Sequence, residues 1–302
     1  MVQDVSHGVG HSRKLNPFTG FMTRGTRAVL EENRGRRDAS VLYTLLSSIV
    51  RYREFIAVMA VRDLRGQHAG AVLGLGWQVL SPLIKVATYV VIVSVIFGQR
   101  LSPKAGIFDY ALYVLSGMIP WQIMTRVIEE SPSLIRDRQE VLKQVIYPIE
   151  TLPITSMMVG GVSALVSFTV FLAMSAATGH VKPSWLLLPI PLALLGLLLL
   201  GLAWMFSIAG VIIKDLREVL STLLGLLVYL SPVVLSRSIV GDSMWQLILY
   251  NPLSHIVICF RNVFYAELDT TSWILFVAMT FGTLTLGALI MGRAKTLINE
   301  HI

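Results

Sequence analysis

The sequence predicts an all-α integral membrane protein with six transmembrane helices. Of its 302 residues, 54% are hydrophobic and only 14% are charged, and the mean hydropathy is +0.69. A soluble domain of this length could not cover so much apolar surface with so few charges. A helix needs about 20 mostly apolar residues to cross about 30 Å of hydrocarbon. Six stretches of the chain meet this requirement, at about residues 79–98, 110–128, 154–177, 185–212, 218–236 and 272–291.

The segments before the first span predict a basic tail and an interfacial helix. Residues 1–40 are polar and basic, lack the apolar core of a signal peptide, and are expected to form a flexible cytoplasmic tail. Residues 41–65 carry apolar side chains at helical spacing, interrupted by charges such as Arg51 and Arg53. We therefore expect an N-terminal amphipathic helix at the membrane interface, with its arginines among lipid headgroups. Packing of this helix on a soluble partner is the alternative.

A polar stretch between the second and third spans predicts a short cytoplasmic helix. This helix would cover residues 133–145, with Ser133 as its N-cap and Tyr147-Pro148 marking its end.

The segment between the fifth and sixth spans is apolar but too short to cross twice. Its two runs, about 243–250 and 253–266, are separated by Asn251-Pro252. Because unpaired backbone cannot face lipid, these runs predict a re-entrant helix pair. Residues 66–295 would then form one transmembrane domain, and residues 296–302 a short cytoplasmic C-terminus.

The distribution of positive charge predicts the orientation. Of 25 Lys and Arg residues, 18 fall on the side that holds residues 1–78 and the C-terminus, and five fall on the opposite side. Cytoplasmic loops carry the excess of Lys and Arg, so both termini are expected in the cytoplasm. The cations lie in the tail and in short loops rather than in one patch beside a packed core, which argues against a nucleic-acid partner.

The motifs of several enzyme classes are absent from the sequence. It contains no Gly-Lys dipeptide, so it has no GxxxxGK[ST] phosphate-binding loop, and it contains no HExxH or GxSxG motif. The single Cys259 excludes an internal disulfide and a thiolate metal cluster. We therefore predict no catalytic residue, no metal site and no cofactor on this chain. Ionisable residues are also scarce inside the spans, which weakens the hypothesis of a proton-coupled carrier.

Aromatic residues deep in the predicted spans are the remaining candidates for substrate contact. The apolar C–H faces of sugars stack on aromatic rings, whereas packing in the protein core is the alternative role. The channel-lining candidates are Tyr89, Phe168, Phe171, Trp204 and Tyr229.

An ordered set of segments from about residue 40 to residue 295 resembles the ABC-2 type permeases that export polysaccharides such as O-antigen, capsule and teichoic acid. The stretches RDLRGQHAGAVLGLGWQVLSPL (62–83) and SGMIPWQIM (116–124) are similar to the entry into the family's first span and to its second span. The remaining similar stretches are LKQVIYPIETLPI (142–154), KDLREVLSTLLGLLVYLSPVVLS (214–236) and YNPLSHIVICFRNVFY (250–265). The tail of about 40 residues is longer than is usual in this family.

The resemblance implies a homodimer in the bacterial inner membrane, with a channel between the subunits and two copies of a separate ATPase that bind ATP and Mg²⁺. Residues 133–145 would be the coupling helix that docks on the ATPase. The implied coupling residues are Leu134, Arg136, Asp137, Arg138, Gln139, Glu140, Val141 and Lys143. The re-entrant pair would close the outer end of the channel, and its implied gate residues are Asn251, Pro252, Phe260 and Phe264.

The substrate that the resemblance implies is a lipid-linked glycan, commonly one carried on a polyprenyl diphosphate. Four arginines of the interfacial helix and its end are candidates to attract the diphosphate, and anchoring in lipid headgroups is their alternative role. These residues are Arg51, Arg53, Arg62 and Arg65.

Three other functions stay open from the sequence. An ABC-2 exporter of a drug, haem or simple lipid would have an aliphatic lateral path instead of an aromatic channel. A polyprenyl-linked glycosyl- or phospho-transferase would need clustered carboxylates for Mg²⁺, for which Glu129 with Glu130 and Asp215 with Glu218 are the nearest approach. A proton-coupled carrier would need an acidic residue or a histidine at mid-membrane.

Overall fold

The computed structural model describes residues 41–66, 71–74, 76–92, 107–138 and 149–301, and all regular secondary structure in these ranges is helical. The helices are α1 (Val41–Arg51), α2 (Arg53–Gly66), α3 (Gly76–Val90), α4 (Ile107–Glu130), α5 (Leu134–Asp137), α6 (Leu152–Ala177), α7 (Pro189–Ile212), α8 (Leu216–Leu227), α9 (Arg237–Leu249), α10 (Pro252–Tyr265) and α11 (Thr270–His301). Short 3₁₀ helices precede α5, α6 and α7, at Ser131–Ser133, Ile149–Thr151 and Pro183–Leu187.

Three helical segments in the described ranges are long and apolar enough to cross a membrane. They are Ile149–Ala177, Pro183–Ile212 and Thr270–Ala294, and they coincide with the predicted third, fourth and sixth spans. The chain is therefore a multi-pass helical membrane protein.

The bundle has two ends, which we name by residues. The Arg138 end holds residues 131–138 and 213–217, and the Trp185 end holds residues 178–185 and 263–269.

The predicted first, second and fifth spans have different outcomes. Helix α4 coincides with the predicted second span, although it also carries charged residues. Helix α3 covers the beginning of the predicted first span, whose last residues lie outside the described ranges. The prediction of a fifth span over 218–236 is wrong in its extent, because α8 ends at Leu227 and residues 228–236 are not helical. There the hydroxyl of Ser231 donates to the Val228 carbonyl and accepts from the Val233 N–H, so this hydroxyl takes part in the turn that ends the helix.

Helices α1 and α2 form the nearly continuous segment that the amphipathic pattern predicts. Between them, the Tyr52 N–H donates to the Ser48 carbonyl at 3.0 Å, and the Ile56 N–H donates to the Tyr52 carbonyl at 2.9 Å. Helix α1 is attached to the bundle by Leu45, which is buried in a cluster with Trp204 of α7 and residues of α11. Hydrophobic burial therefore fixes one face of this segment against the spans.

Helices α7 and α11 pack backbone against backbone because glycines face each other. A Cβ atom on Gly201 would lie 2.5 Å from the Thr283 carbonyl, and a Cβ atom on Gly287 would lie 2.3 Å from the Gly201 oxygen. Helices in lipid gain stability from such close van der Waals contact, since no hydrophobic effect drives them together. The contact makes α7 and α11 a rigid pair along the bundle.

We expect Gly287→Ala to destabilise the protein, because the new methyl group would push α11 away from α7. Overpacking of this kind costs about 1–3 kcal/mol. Gly282→Ala is the matched control, since it lies on the same helix and its Cβ would meet no atom within 4 Å. Thermal unfolding of the purified variants in one detergent would measure the difference. Equal transition temperatures for the two variants would show that the glycine contact is not a stabilising one.

Candidate functional site

The predicted coupling segment begins as a continuation of α4. The chain passes from α4 through Ser131–Ser133 directly into α5, and the Ser133 backbone is helical. The Ser133 hydroxyl donates to the Glu130 carbonyl at 3.2 Å and makes no capping bond. Ser133 therefore stands at the predicted N-cap position, but its side chain does not cap α5, because the preceding turn is already helical. The later residues of the predicted coupling helix, Gln139, Glu140, Val141 and Lys143, lie outside the described residues.

The described residues of the coupling segment differ in their exposure. Arg136 and Asp137 are exposed at the surface of the Arg138 end. Leu134 is only 5% exposed and packs with Ile135 and Leu152. Burial of Leu134 anchors the segment to the bundle, so this side chain is not available to a docked partner, in contrast to the prediction.

Arg138 joins the coupling segment to two other helices. Its Nη2 atom forms an ion pair with Asp63 Oδ2 of α2, and its Nη1 atom donates to Thr155 Oγ1 of α6 at 3.1 Å. The side chain of Arg138 is 20% exposed and that of Asp63 is 31% exposed. The geometry makes Arg138 a connection inside the chain, between the interfacial helix, the coupling segment and a membrane span.

Further polar contacts tie α4 to α6, and the coupling segment to the start of α8. Arg126 and Glu130 form an ion pair at 2.7 Å on α4, and Glu130 accepts a hydrogen bond from Ser156 of α6. Arg136 donates to the Lys214 carbonyl at 3.3 Å, and Arg217 donates to the Ser133 hydroxyl at 3.4 Å. The coupling segment therefore contacts elements that lead to several different helices.

A cavity of about 340 Å³ lies at this end of the bundle. Three arginines and three carboxylates line it, so its formal charges balance; they are Arg62, Arg138, Arg217, Asp63, Glu130 and Asp137. Of the four arginines predicted to attract a diphosphate, Arg62 lines this cavity, and Arg62 and Arg65 both flank an adjacent groove on α2. Arg51 and Arg53 are exposed where α1 meets α2.

The predicted channel aromatics lie in three different environments. Phe168 and Phe171 belong to one aromatic cluster with Trp185 and Phe264, in which the Phe171 ring centroid lies 4.6 Å from that of Phe264. Phe171 is 2% exposed. This burial argues against the predicted channel-lining role of Phe171, because a side chain buried within one chain offers no surface to a path between two chains.

Trp204, Tyr229 and Tyr89 complete that set. Trp204 is fully buried, and its Nε1 atom donates to the Glu150 carbonyl at 2.9 Å. This burial argues against its predicted channel-lining role too. Tyr229 is 60% exposed and stays a candidate. Tyr89 belongs to α3, and its side chain lies outside the described part of the chain.

The predicted outer segment forms the helix pair α9 and α10. Asn251 caps α10, since its Oδ1 atom accepts from the Leu253 N–H at 3.0 Å, and Pro252 is the first helical residue. Phe260 and Phe264 are 0% and 2% exposed. These two rings belong to the main core, so they hold α10 in place and do not act as movable gate side chains.

The sequence interpretation missed three groups that the structure brings into these sites. Asp63 was not distinguished from other charges of the interfacial helix, and Thr155 was not distinguished from other small polar residues of α6. Arg261 was counted as a loop cation, although it is 7% exposed within α10. A charged residue inside an otherwise apolar helical run is a signal that could have found Arg261.

Comparison with known proteins identifies the family. The model of the family described as ABC-2 type transporter matches residues 56–265. The O-antigen export system permease protein RfbA of Myxococcus xanthus is 23% identical over 225 residues, which cover 73% of this chain and 84% of that protein. An RfbA protein of Klebsiella pneumoniae is 24% identical, over 70% of this chain and 80% of that protein. The polysialic acid transport protein KpsM of Escherichia coli is 22% identical, over 67% of this chain and 78% of that protein. Since the family model covers more than half of the residues, the chain belongs to the ABC-2 type transporter family.

Proposed function

We propose that this chain is the membrane permease subunit of an ATP-driven exporter that moves a lipid-linked polysaccharide across the bacterial inner membrane. The observation that carries the proposal is the similarity to permeases named for O-antigen and polysialic acid transport, over 67–73% of the chain. A glycan is favoured over a drug, haem or simple lipid because both sets of relatives are named for the transport of carbohydrate polymers.

The proposed assembly contains two copies of this chain and two copies of a separate ATPase, which binds ATP and Mg²⁺. The absence of a phosphate-binding loop from the sequence supports a separate ATPase. Six spans with both termini in the cytoplasm agree with the excess of positive charge on one side. An exposed apolar stripe on α8 and the turn after it is a candidate surface for the second copy; it includes Val219, Leu223, Leu226 and Leu230.

The Arg138 end is proposed to receive the motion of the ATPase. Exposed Arg136 and Asp137 would contact the ATPase, and buried Leu134 would keep the segment attached to the bundle. A displacement of this segment would pull α2 through the Arg138–Asp63 ion pair. Through the contact of Arg217 with Ser133, it would also reach α8.

The substrate would meet this chain on two surfaces. The diphosphate of the lipid carrier would approach the arginines of α2 and its junction with α1, where opposite charges attract. The glycan would then pass exposed aromatic side chains such as Tyr229, whose ring can stack on sugars without holding them tightly. Weak contacts at several positions allow a polymer to bind and still move, as in a conducting channel.

The proposal predicts that ATP hydrolysis depends on an exposed residue of the coupling segment. Asp137→Arg should abolish stimulation of the co-purified ATPase by this chain, because it reverses a charge at the docking surface. Asp242→Arg is the control, since Asp242 is also exposed but belongs to α9. The measurement is ATP hydrolysis by the reconstituted two-plus-two complex. If no ATPase co-purifies with the unaltered chain, the permease proposal is wrong.

The ion pair between Arg138 and Asp63 should affect coupling more than stability. Arg138→Asp and Asp63→Arg each place like charges together. Contacting residues typically have a coupling energy of about 1–2 kcal/mol, which corresponds to a factor of about five to thirty. We therefore expect each single variant to lower the glycan exported per ATP hydrolysed by this factor. The double variant restores opposite charges and should recover most of the export. Glu54→Arg, at an exposed carboxylate of the same helix, is the control. No recovery in the double variant would argue against a transmitting ion pair.

Tyr229 is expected to contact the moving glycan. Tyr229→Ala should lower the export rate several-fold, and it should leave the unfolding temperature unchanged because the side chain is exposed. Tyr229→Phe should keep most of the export rate because the ring is retained. Leu165→Ala is the control, as Leu165 of α6 is about equally exposed and lies outside the apolar stripe proposed for the second copy. Unaltered export by Tyr229→Ala would remove Tyr229 from the channel.

A further inference from the structure

The break between α8 and α9 is stabilised by side chains of other helices. In residues 228–236 the carbonyls of three successive residues each accept a hydrogen bond from outside the turn. Arg261 Nη2 donates to the Val233 carbonyl at 3.0 Å, the Tyr110 hydroxyl to that of Val234 at 2.6 Å, and the Tyr113 hydroxyl to that of Leu235 at 2.9 Å. Non-helical backbone at membrane depth is stable only where protein or water satisfies its polar groups. These three donors therefore allow the chain to leave the helix here.

Arg261 also binds α4, so it connects this helix to the turn. Its Nη2 atom also donates to the Tyr113 carbonyl at 2.9 Å, its Nε atom donates to the Ser116 hydroxyl at 3.3 Å, and its guanidinium carbon lies 3.5 Å from the centroid of the Tyr113 ring. Carbonyl dipoles and an aromatic face thus surround a buried cation. The planar guanidinium can serve acceptors in several directions at once, which a lysine cannot do as well.

Gly117 of α4 lets the turn and the Arg261 guanidinium lie close to this helix. A Cβ atom on Gly117 would lie 2.9 Å from Arg261 Nη2 and 3.0 Å from the Val233 Cα atom. Any larger residue at this position would separate α4 from both of them. The close approach means that a movement of α10 or of the turn relative to α4 would break several contacts together.

Helix α10 is also held at its C-terminal end. The carbonyls of its last three residues accept hydrogen bonds from side chains that follow α6: Ser184 donates to Val263 at 2.6 Å, Trp185 to Phe264 at 3.0 Å, and Lys182 to Tyr265 at 2.5 Å. These carbonyls have no partner within the helix, so such donors satisfy them, and the Lys182 charge also complements the helix dipole. Helix α10 is therefore bound to α4 in its middle and to the Trp185 end at its terminus.

Helix α9 is held at its C-terminal end, where the Ile248 carbonyl accepts a hydrogen bond from the Ser254 hydroxyl at 2.8 Å and the Leu249 carbonyl lies 3.0 Å from His255 Nε2. Its earlier residues are mostly exposed, and the ion pair between Arg237 and Asp242 joins side chains that are 67% and 75% exposed. Its backbone departs from helical geometry at Gly241, where φ is 76° and ψ is 171°. A positive φ of this kind suits glycine and divides α9 into two helical halves that meet at a kink.

We propose that Arg261 is a positioning residue that fixes the break between α8 and α9 against α4, so that opening of the Trp185 end is confined to the part of α9 before Ile248. This inference deepens the proposed export function and rests on it. In this arrangement α4 and α10 hold the turn in place, and the turn presents the exposed Tyr229 to the glycan path. The helix pair that the sequence predicts to act as one gate is then divided into a fixed α10 and a moving first part of α9.

The first experiment measures the position of the turn without any transport assay. Val234→Cys places a thiol in the turn at a residue that is 7% exposed, and it leaves the hydrogen-bonded carbonyls in place. Cys259, which is fully buried on α10, stays in the protein as an internal reporter of unfolding. In nanodiscs, maleimide labelling at position 234 should be slow in the Arg261 protein. It should become about tenfold faster in Arg261→Met, as expected for the loss of a charge-assisted hydrogen bond.

The outcomes separate a released turn from an unfolded protein. Faster labelling at position 234 with Cys259 still protected supports the inference, and unaltered labelling at position 234 overturns it. Labelling of both positions would mean that Arg261 holds the whole fold, which also overturns the inference of a local positioning role. Tyr113→Phe provides a milder variant, because it removes one hydroxyl donor to the Leu235 carbonyl and should give a smaller increase.

The second experiment relates the released turn to export. In the reconstituted complex, Arg261→Met should keep the ATP hydrolysis rate and lose glycan export, whereas Arg261→Lys should retain part of the export. A general loss of structure would lower both activities. Full export by a protein in which position 234 labels rapidly would contradict the positioning role. The labelling result holds even if the substrate is not a glycan, so failure of the proposed function and failure of this inference are distinguishable.

Discussion

Backbone hydrogen bonding in a membrane is the constraint on which the rest of this structure depends. Lipid offers no partner to a peptide group, so each place where the chain leaves a helix must supply donors or acceptors from elsewhere in the protein. The turn after α8 receives donors from α4 and α10, and the end of α10 receives donors from residues 182–185. These long-range bonds also decide which helices are held together, and therefore which ones can move.

The two ends of the bundle solve different problems with similar chemistry. At the Arg138 end, the ion pair between the partly exposed Arg138 and Asp63 side chains connects the coupling segment to α2. Such pairs contribute little to stability, about 0–1 kcal/mol each, and can rearrange without unfolding the protein. At the Trp185 end, partly buried side chains donate to the carbonyls of the last turn of α10 and hold it in place. A permease that transmits motion from one face and shapes a path at the other would use this division.

Burial within one subunit separates structural aromatics from those available to a substrate. Phe171 and Trp204 were plausible channel residues as long as only their depth in a span was known. Their contacts show that they connect helices of the same chain, whereas Tyr229 presents most of its ring at the surface. Hydropathy gives the depth of a residue along a span but not the direction in which its side chain points.

The sequence by itself determined the class of the protein, the described long spans, the helical segment of α1 and α2, and the helix pair that Asn251 and Pro252 divide. These features follow from local hydropathy and capping chemistry. The family resemblance was also correct, since it depends on the order of segments along the chain. Tertiary structure alone decided that α8 ends at Leu227, that the Ser133 side chain makes no capping bond, and that Arg138 pairs with Asp63 of α2. It also decided that Arg261 is buried against α4. The physical reason is that these features depend on partners about 70 to 150 residues away, or on a helical turn that continues through a polar segment. The local sequence pattern carries no information about either of these causes.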